Sequence, residues 1–271
     1  PNDLLNQFTI TRLKYGGGGD WYSDPSSIPN LLRFVSKGTG IKTATKEIKA
    51  SIGSSDFYNN TYSSNNKDYI MVTGSTIGDT KAANKDVTYT WKKDGAPYLV
   101  SADLTINPSG STIPSTTTWI IQSGTIIKFK KDVDVYISST TANNNGAVQA
   151  TGVTFQGYNA TDGWNGFDFR SNTNDSKTLL DSCIIQDAIW AIYCTGASPT
   201  IKNSTINNNT NGIYSDGSSS PIIWNNTFSN ITGTTISMEV TQIDSSISGL
   251  TVSNNTNNFI VVRGDRLSEY G

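Results

Sequence analysis

Single β-branched or aromatic residues alternate with polar ones along the second half of the chain, and the alternation repeats. From Pro199 the sequence reads PTIKNSTINNNT, and from Pro221 it reads PIIWNNTFSNIT, an offset of 22 residues. SSISGLTVSNNT follows from Ser245, and KTLLDSCIIQDA precedes from Lys177. A looser copy, ATGVTFQG, begins at Ala150. A second motif interleaves: GFDF at 166–169, AIYC at 191–194 and GIYS at 212–215, continued weakly by ISMEV at 236–240 and FIVV at 259–262. Each unit therefore holds two or three short strands between Asn, Gly and Ser turns. No such unit buries its own apolar face, but a stack of them does, which predicts the coils of a parallel β-solenoid. Equivalent residues then stack about 4.8 Å apart. Ile201, Ile206, Ile213, Ile223 and Phe228 are expected to point inward, and Asn203 with Asn225 to form an internal ladder at a bend. Alternation turns Asp168, Tyr193 and Tyr214 outward at one equivalent position, and Lys202 with Trp224 at another.

Composition agrees with an all-β reading. Only 15% of the 271 residues are charged, against roughly 25% in an average soluble protein. The balance is taken by 24 Gly, 28 Asn and many Ser and Thr. Asn and Gly supply the left-handed backbone that tight turns need. Six Trp, twelve Tyr and nine Phe argue against disorder. The net charge of -2 gives no basic footprint for nucleic acid. The chain lacks histidine, which removes the usual triads, zinc hydrolases and haem sites. No apolar run approaches a membrane span. The opening PNDLLNQ lacks a signal-peptide pattern, as expected of a mature, trimmed or cytosolic chain. Cys183 and Cys194 are read either as one disulfide or as two small buried hydrophobes. Eight Asn-x-Ser/Thr sequons, at Asn59, Asn159, Asn174, Asn203, Asn208, Asn225, Asn230 and Asn254, follow from an Asn- and Thr-rich composition.

Residues Trp91, Pro97, Tyr98 and Val100, followed by Trp119, Ile120, Ile121, Gly124, Thr125, Ile127, Lys128 and Phe129, resemble the opening segment of secreted bacterial right-handed parallel β-helices. The coils around GIYS and SSPIIWNNTFSN are similar to the pectin-lyase-like, NosD-type repeat. The resemblance spans roughly 87–262. It implies a right-handed parallel β-helix, a fold that hosts lyases, hydrolases, adhesins and phage spikes, so function rests on a site.

The first eighty residues differ. FTITRLK at 8–14 reads as a strand, GGGGD at 16–20 as a turn, and NLLRFVSK as a helix capped near Ser26 or Ser27 and stopped at Gly38. DYIMVT at 68–73 reads as another strand. Phe8, Leu13, Lys14, Tyr15, Gly16 to Gly19, Asp20, Trp21, Tyr22, Asp24, Pro25, Pro29, Asn30, Leu31 and Leu32 resemble the start of the DUF4159 family, related to class I glutamine amidotransferases. GGGGDWY lacks the GK[ST] of a phosphate-binding loop. The expected organisation is a β-α-β cap or docking element at 1–80 and a parallel β-helix at 81–271.

Three functions compete. A polysaccharide lyase or hydrolase would draw on Asp162, Asp168, Asp175, Asp181, Asp187 and Arg170, but no paired carboxylates stand at equivalent positions of adjacent coils. No catalytic residue, metal ligand or cofactor is therefore assigned. A glycan-binding or adhesive protein would use the outward row of Asp168, Tyr193 and Tyr214 together with exposed Trp224. Arg263-Gly264-Asp265 spells an integrin tripeptide, a match that three residues give by chance. A structural subunit would associate with copies of itself through the solenoid ends, where Phe259, Ile260, Val261 and Val262 form an apolar strand. The leading expectation is a secreted or cell-surface, non-enzymatic protein that assembles into a filament or surface layer, with polysaccharide as the alternative partner and neither nucleic acid nor membrane span.

Overall fold

The structure, a computed structural model, describes residues 69–264 apart from 160, 162 and 245, together with two short strands at 7–8 and 42–43. The chain divides into two units, Pro1–Tyr58 and Asn59–Gly271. In the first, Gln7–Phe8 pairs in parallel with Lys42–Thr43. The expected helix and glycine run lie outside the described residues.

The second unit is a mainly β, right-handed parallel solenoid of about seven turns. Each turn contributes one short strand to each of three parallel sheets. Sheet I stacks eight strands, from Ile70–Val72 to Thr251–Ser253. Sheet II stacks eight, from Ser75–Asp79 to Ile260–Arg263. Sheet III stacks seven, from Val87–Trp91 to Ile247–Ser248. The strand expected at 68–73 thus belongs to the first coil of the solenoid, paired with Tyr98–Val100, and not to a separate β-α-β element.

Register carries apolar residues through the whole stack. In sheet I one inward column runs Ile70, Tyr98, Ile127, Phe155, Ile185, Ile206, Phe228 and Val252. In sheet II another runs Leu104, Val135, Phe167, Ile192, Ile213, Ile236 and Ile260. The five residues expected inward are all fully buried. Aromatic rings fill the wider coils: Phe129 stacks on Trp164 at 4.1 Å, and Phe155 meets Phe167 edge-on at 4.9 Å. Trp91 and Tyr98, the start of the resemblance, stack at 4.8 Å.

Asparagine sets the corners. Asn203 and Asn225 hold φ near +54°, as do Asn208, Asn230 and Asn254 at the next corner. This left-handed conformation costs asparagine less than other non-glycine residues. The ladder expected inside lies outside: Asn225 Nδ2 donates to Asn203 Oδ1 at 2.9 Å, and Asn203 Nδ2 to Asp181 Oδ1 at 2.8 Å, on exposed residues. A left-handed residue throws its own side chain outward and the next one inward. The buried amides therefore belong to Asn226 and Asn209.

Cys183 and Cys194 are separate, free and buried. Burial raises the Cys183 thiol to about 11 and Cys194 well above its usual value, so both behave as apolar filler.

Candidate functional site

The outer face of sheet II brings together three of the expected site residues. Asp168, Tyr193 and Tyr214 stand in register on adjacent coils. Tyr136 precedes Asp168 in the same row, and Ser237 follows Tyr214. Trp224 is not with them; it projects from sheet III, in register with Lys202 and Ser248, and is 47% exposed.

The two tyrosines of the row stack on each other. The Tyr193 and Tyr214 rings lie 4.3 Å apart and 6° from parallel. Trp190 meets both edge-on, at 6.1 and 5.8 Å. The Arg263 guanidinium lies over Tyr214, 4.2 Å from the ring centre. It also donates to the Tyr214 hydroxyl and to the Ser215 carbonyl, and pairs with Glu239 at 3.3 Å. Arg263 stands on the last strand, two coils beyond Tyr214, and Ser237 between them is small and buried. At the other end, Arg170 pairs with Asp168 at 2.9 Å and covers Tyr136 at 3.8 Å. Both faces of Tyr214 are thus occupied, one by a ring and one by a cation. A sugar that stacks on an aromatic needs an open ring face, and Tyr214 offers none. The arginine of the Arg-Gly-Asp tripeptide is engaged in the same contacts.

Beside the row lies a carboxylate group that repeat spacing did not reveal. Asp134 accepts from Asn165 Nδ2 at 2.8 Å, and its backbone N–H donates to Asp103 Oδ1 at 3.0 Å. Burial pushes the Asp134 carboxyl above its usual range; the hydrogen bond from Asn165 opposes this, and the charges of Asp103 and Asp168 add to it. The other acids considered are dispersed. Asp181 sits on sheet III, paired with Lys202 at 3.4 Å, while Asp187 occupies a corner. Asp175 lies in a short 3-10 turn and accepts from the Ser198 N–H at 2.8 Å. Asp162 lies outside the described residues. Tyr136 and Asp134 leave no repeat signal because the earlier coils carry longer loops that break the 22-residue offset.

Of the apolar strand expected at 259–262, residues from Ile260 onward form the last strand of sheet II among the described residues. It belongs to the last described coil, whose inward positions are exposed. Phe228 and Met238 are fully buried, whereas their register partners Val252 and Val262 are 39% and 47% exposed. Phe259 beside them is 58% exposed. At the first described coil, Ile70 and Val72 are instead buried.

Among the described residues, Tyr193 and Tyr214 stack on each other, and the last described coil leaves inward positions exposed. A family model described as the right handed beta helix region matches residues 190–268. No curated protein and no solved structure matches the chain.

Arg263 acts as a clasp on that last coil. Arg263→Ala is expected to leave the midpoint of global unfolding nearly unchanged. The amides of 260–263 should exchange several-fold faster with deuterium, since terminal repeats open independently of the stack. Equal protection in variant and parent would disprove the clasp.

Proposed function

We propose that this chain is a non-enzymatic structural protein of the cell exterior that associates with a second copy of itself through the last coil of its solenoid. The observation that carries the reading is the opened core: Val252, Val262 and Phe259 stand in solvent at a place where each preceding coil is sealed. Two such coils brought together bury both apolar ends and pair the unsatisfied strand edges. The resemblance to secreted β-helices supports the location. Open-ended growth needs a second uncovered end, and Ile70 and Val72 are covered, so a closed pair is favoured over a filament.

Sedimentation velocity across a concentration series tests this. The 29.2 kDa chain should approach twice its mass and stop there. Val252→Lys/Val262→Lys, which places two unpaired charges in the contact, should weaken association roughly a hundredfold or more. A parent chain that stays monomeric throughout refutes the proposal, and mass growing without limit restores the filament. Glycan binding is the second reading. It draws on exposed Trp224 and its neighbour Ile222 on sheet III and not on the tyrosines, so Trp224→Ala is the variant that should abolish it.

A further inference from the structure

Sheet I carries an outer face unlike the other two. Its outward positions form two straight ranks. The first consists entirely of β-branched residues in register: Ile126, Thr154, Ile184, Thr205, Thr227 and Thr251. The second opens on Met71, Leu99 and Lys128 and is polar and uncharged beyond them: Gln156, then Gln186, Asn207, Ser229 and Ser253. The ion pairs Asp168–Arg170 and Glu239–Arg263 belong to sheet II, and Asp181–Lys202 to sheet III. Ile126 and Ile184 stay exposed and Thr205 and Thr227 are half-buried, whereas Leu99 near the start of the sheet is fully buried, so the face is open from Ile126 onward.

The chemistry of these ranks narrows what meets them. A protein partner selects aromatic and large apolar anchors. A polysaccharide selects an open ring face, and nucleic acid selects cations. From Thr154 onward neither rank holds a ring or a charge. What they do offer is a lattice. Coils repeat about every 4.8 Å, and alternate residues along a strand about every 6.7 Å. Thr and Ile are stiff about their first side-chain bond, so methyls and hydroxyls recur at regular positions along the stack. A methyl organises the water around it, and a hydroxyl holds one water by donating or accepting. An ice crystal face is likewise a periodic two-dimensional array of water molecules that donate and accept hydrogen bonds.

We propose that the outer face of sheet I binds ice through the ranks headed by Thr205, Thr227 and Thr251. The contact uses a side of the solenoid and is independent of association through its end. Nanolitre osmometry and ice-recrystallisation assays on the full chain test it. The expected result is faceted crystals, a gap between melting and freezing temperatures, and slowed recrystallisation. Thr205→Lys/Thr227→Lys should abolish all three while circular dichroism stays unchanged. Thr200→Lys, on sheet III, should retain them. If the double variant fails to fold, Thr251→Lys on the exposed last strand replaces it and should reduce the effect. Ice growth equal to that in an inert protein at the same concentration overturns the proposal. So does full activity in the folded lysine variants, or a dimer of the parent chain that Thr205→Lys/Thr227→Lys dissolves.

Discussion

Gly166→Ala is expected to destabilise the solenoid by about 3–5 kcal/mol, the sum of a left-handed backbone penalty and an overlap that no side-chain rotation relieves. Gly166 has φ +107°, and a β-carbon built there falls 1.6 Å from the Trp190 carbonyl oxygen. That oxygen belongs to the backbone of the next coil, so the two coils must separate for the methyl to fit. The site is central in sheet II, between Asp134–Ile137 and Trp190–Cys194. In a solenoid each coil contacts only its neighbours, so a wedge at one junction uncouples the blocks on either side. Urea unfolding followed by fluorescence should therefore show a lower midpoint and a broadened or split transition. Gly110→Ala is the control. Gly110 also has positive φ, +75°, but nothing lies within 4 Å of its added carbon, so its cost should stay near 1 kcal/mol. Equal losses in the two variants would show that backbone conformation, and not the close approach of coils, dictates glycine at 166.

Much of this architecture was legible because the inward positions of the later coils are β-branched or aromatic at a nearly constant offset. Ile201, Ile223 and their neighbours announce a stacked column before any coordinate is known. The corners were legible only in part. Asn203, Asn208, Asn225, Asn230 and Asn254 head five of the sequons, and the structure supplies their physical reason. A left-handed asparagine turns the chain, the next residue points into the core, and a threonine follows. The inward and outward members of that triplet differ by one residue, which alternation alone does not resolve at a bend. That is why Asn203 and Asn225 were expected inside. The tyrosine row was visible in Tyr193 and Tyr214, but the contacts around it were not. Arg263 reaches across a whole coil to Tyr214, and Tyr136 precedes Asp168 through a coil of different length. Contacts of that kind depend on side-chain reach and loop length, neither of which leaves a period in the sequence. Trp224 alternates outward as the tyrosines do, but outward positions of different sheets face different ways.

The corner asparagines yield the second large effect. Asn226 is fully buried. Its Oδ1 accepts the Ser204 N–H at 2.9 Å, and its Nδ2 donates to the Ile201 carbonyl at 2.8 Å. One amide thus satisfies a donor and an acceptor that the bend removes from the ladders and from water. Asn226→Ala strands both groups in the core and opens a small void, so a loss of about 3 kcal/mol is expected. Asn225→Ala, one residue earlier, removes an exposed amide and one exposed hydrogen bond to Asn203. Its cost should stay within about 1 kcal/mol, and part of that is the left-handed backbone rather than the lost bond. The pair of variants separates two roles that composition merges into one count of asparagines. Comparable losses at 225 and 226 would mean that the outer amide ladder holds the coils together. A loss confined to 226 would place that work on the buried amide, and would explain why these coils keep a polar residue where an aliphatic one packs more simply.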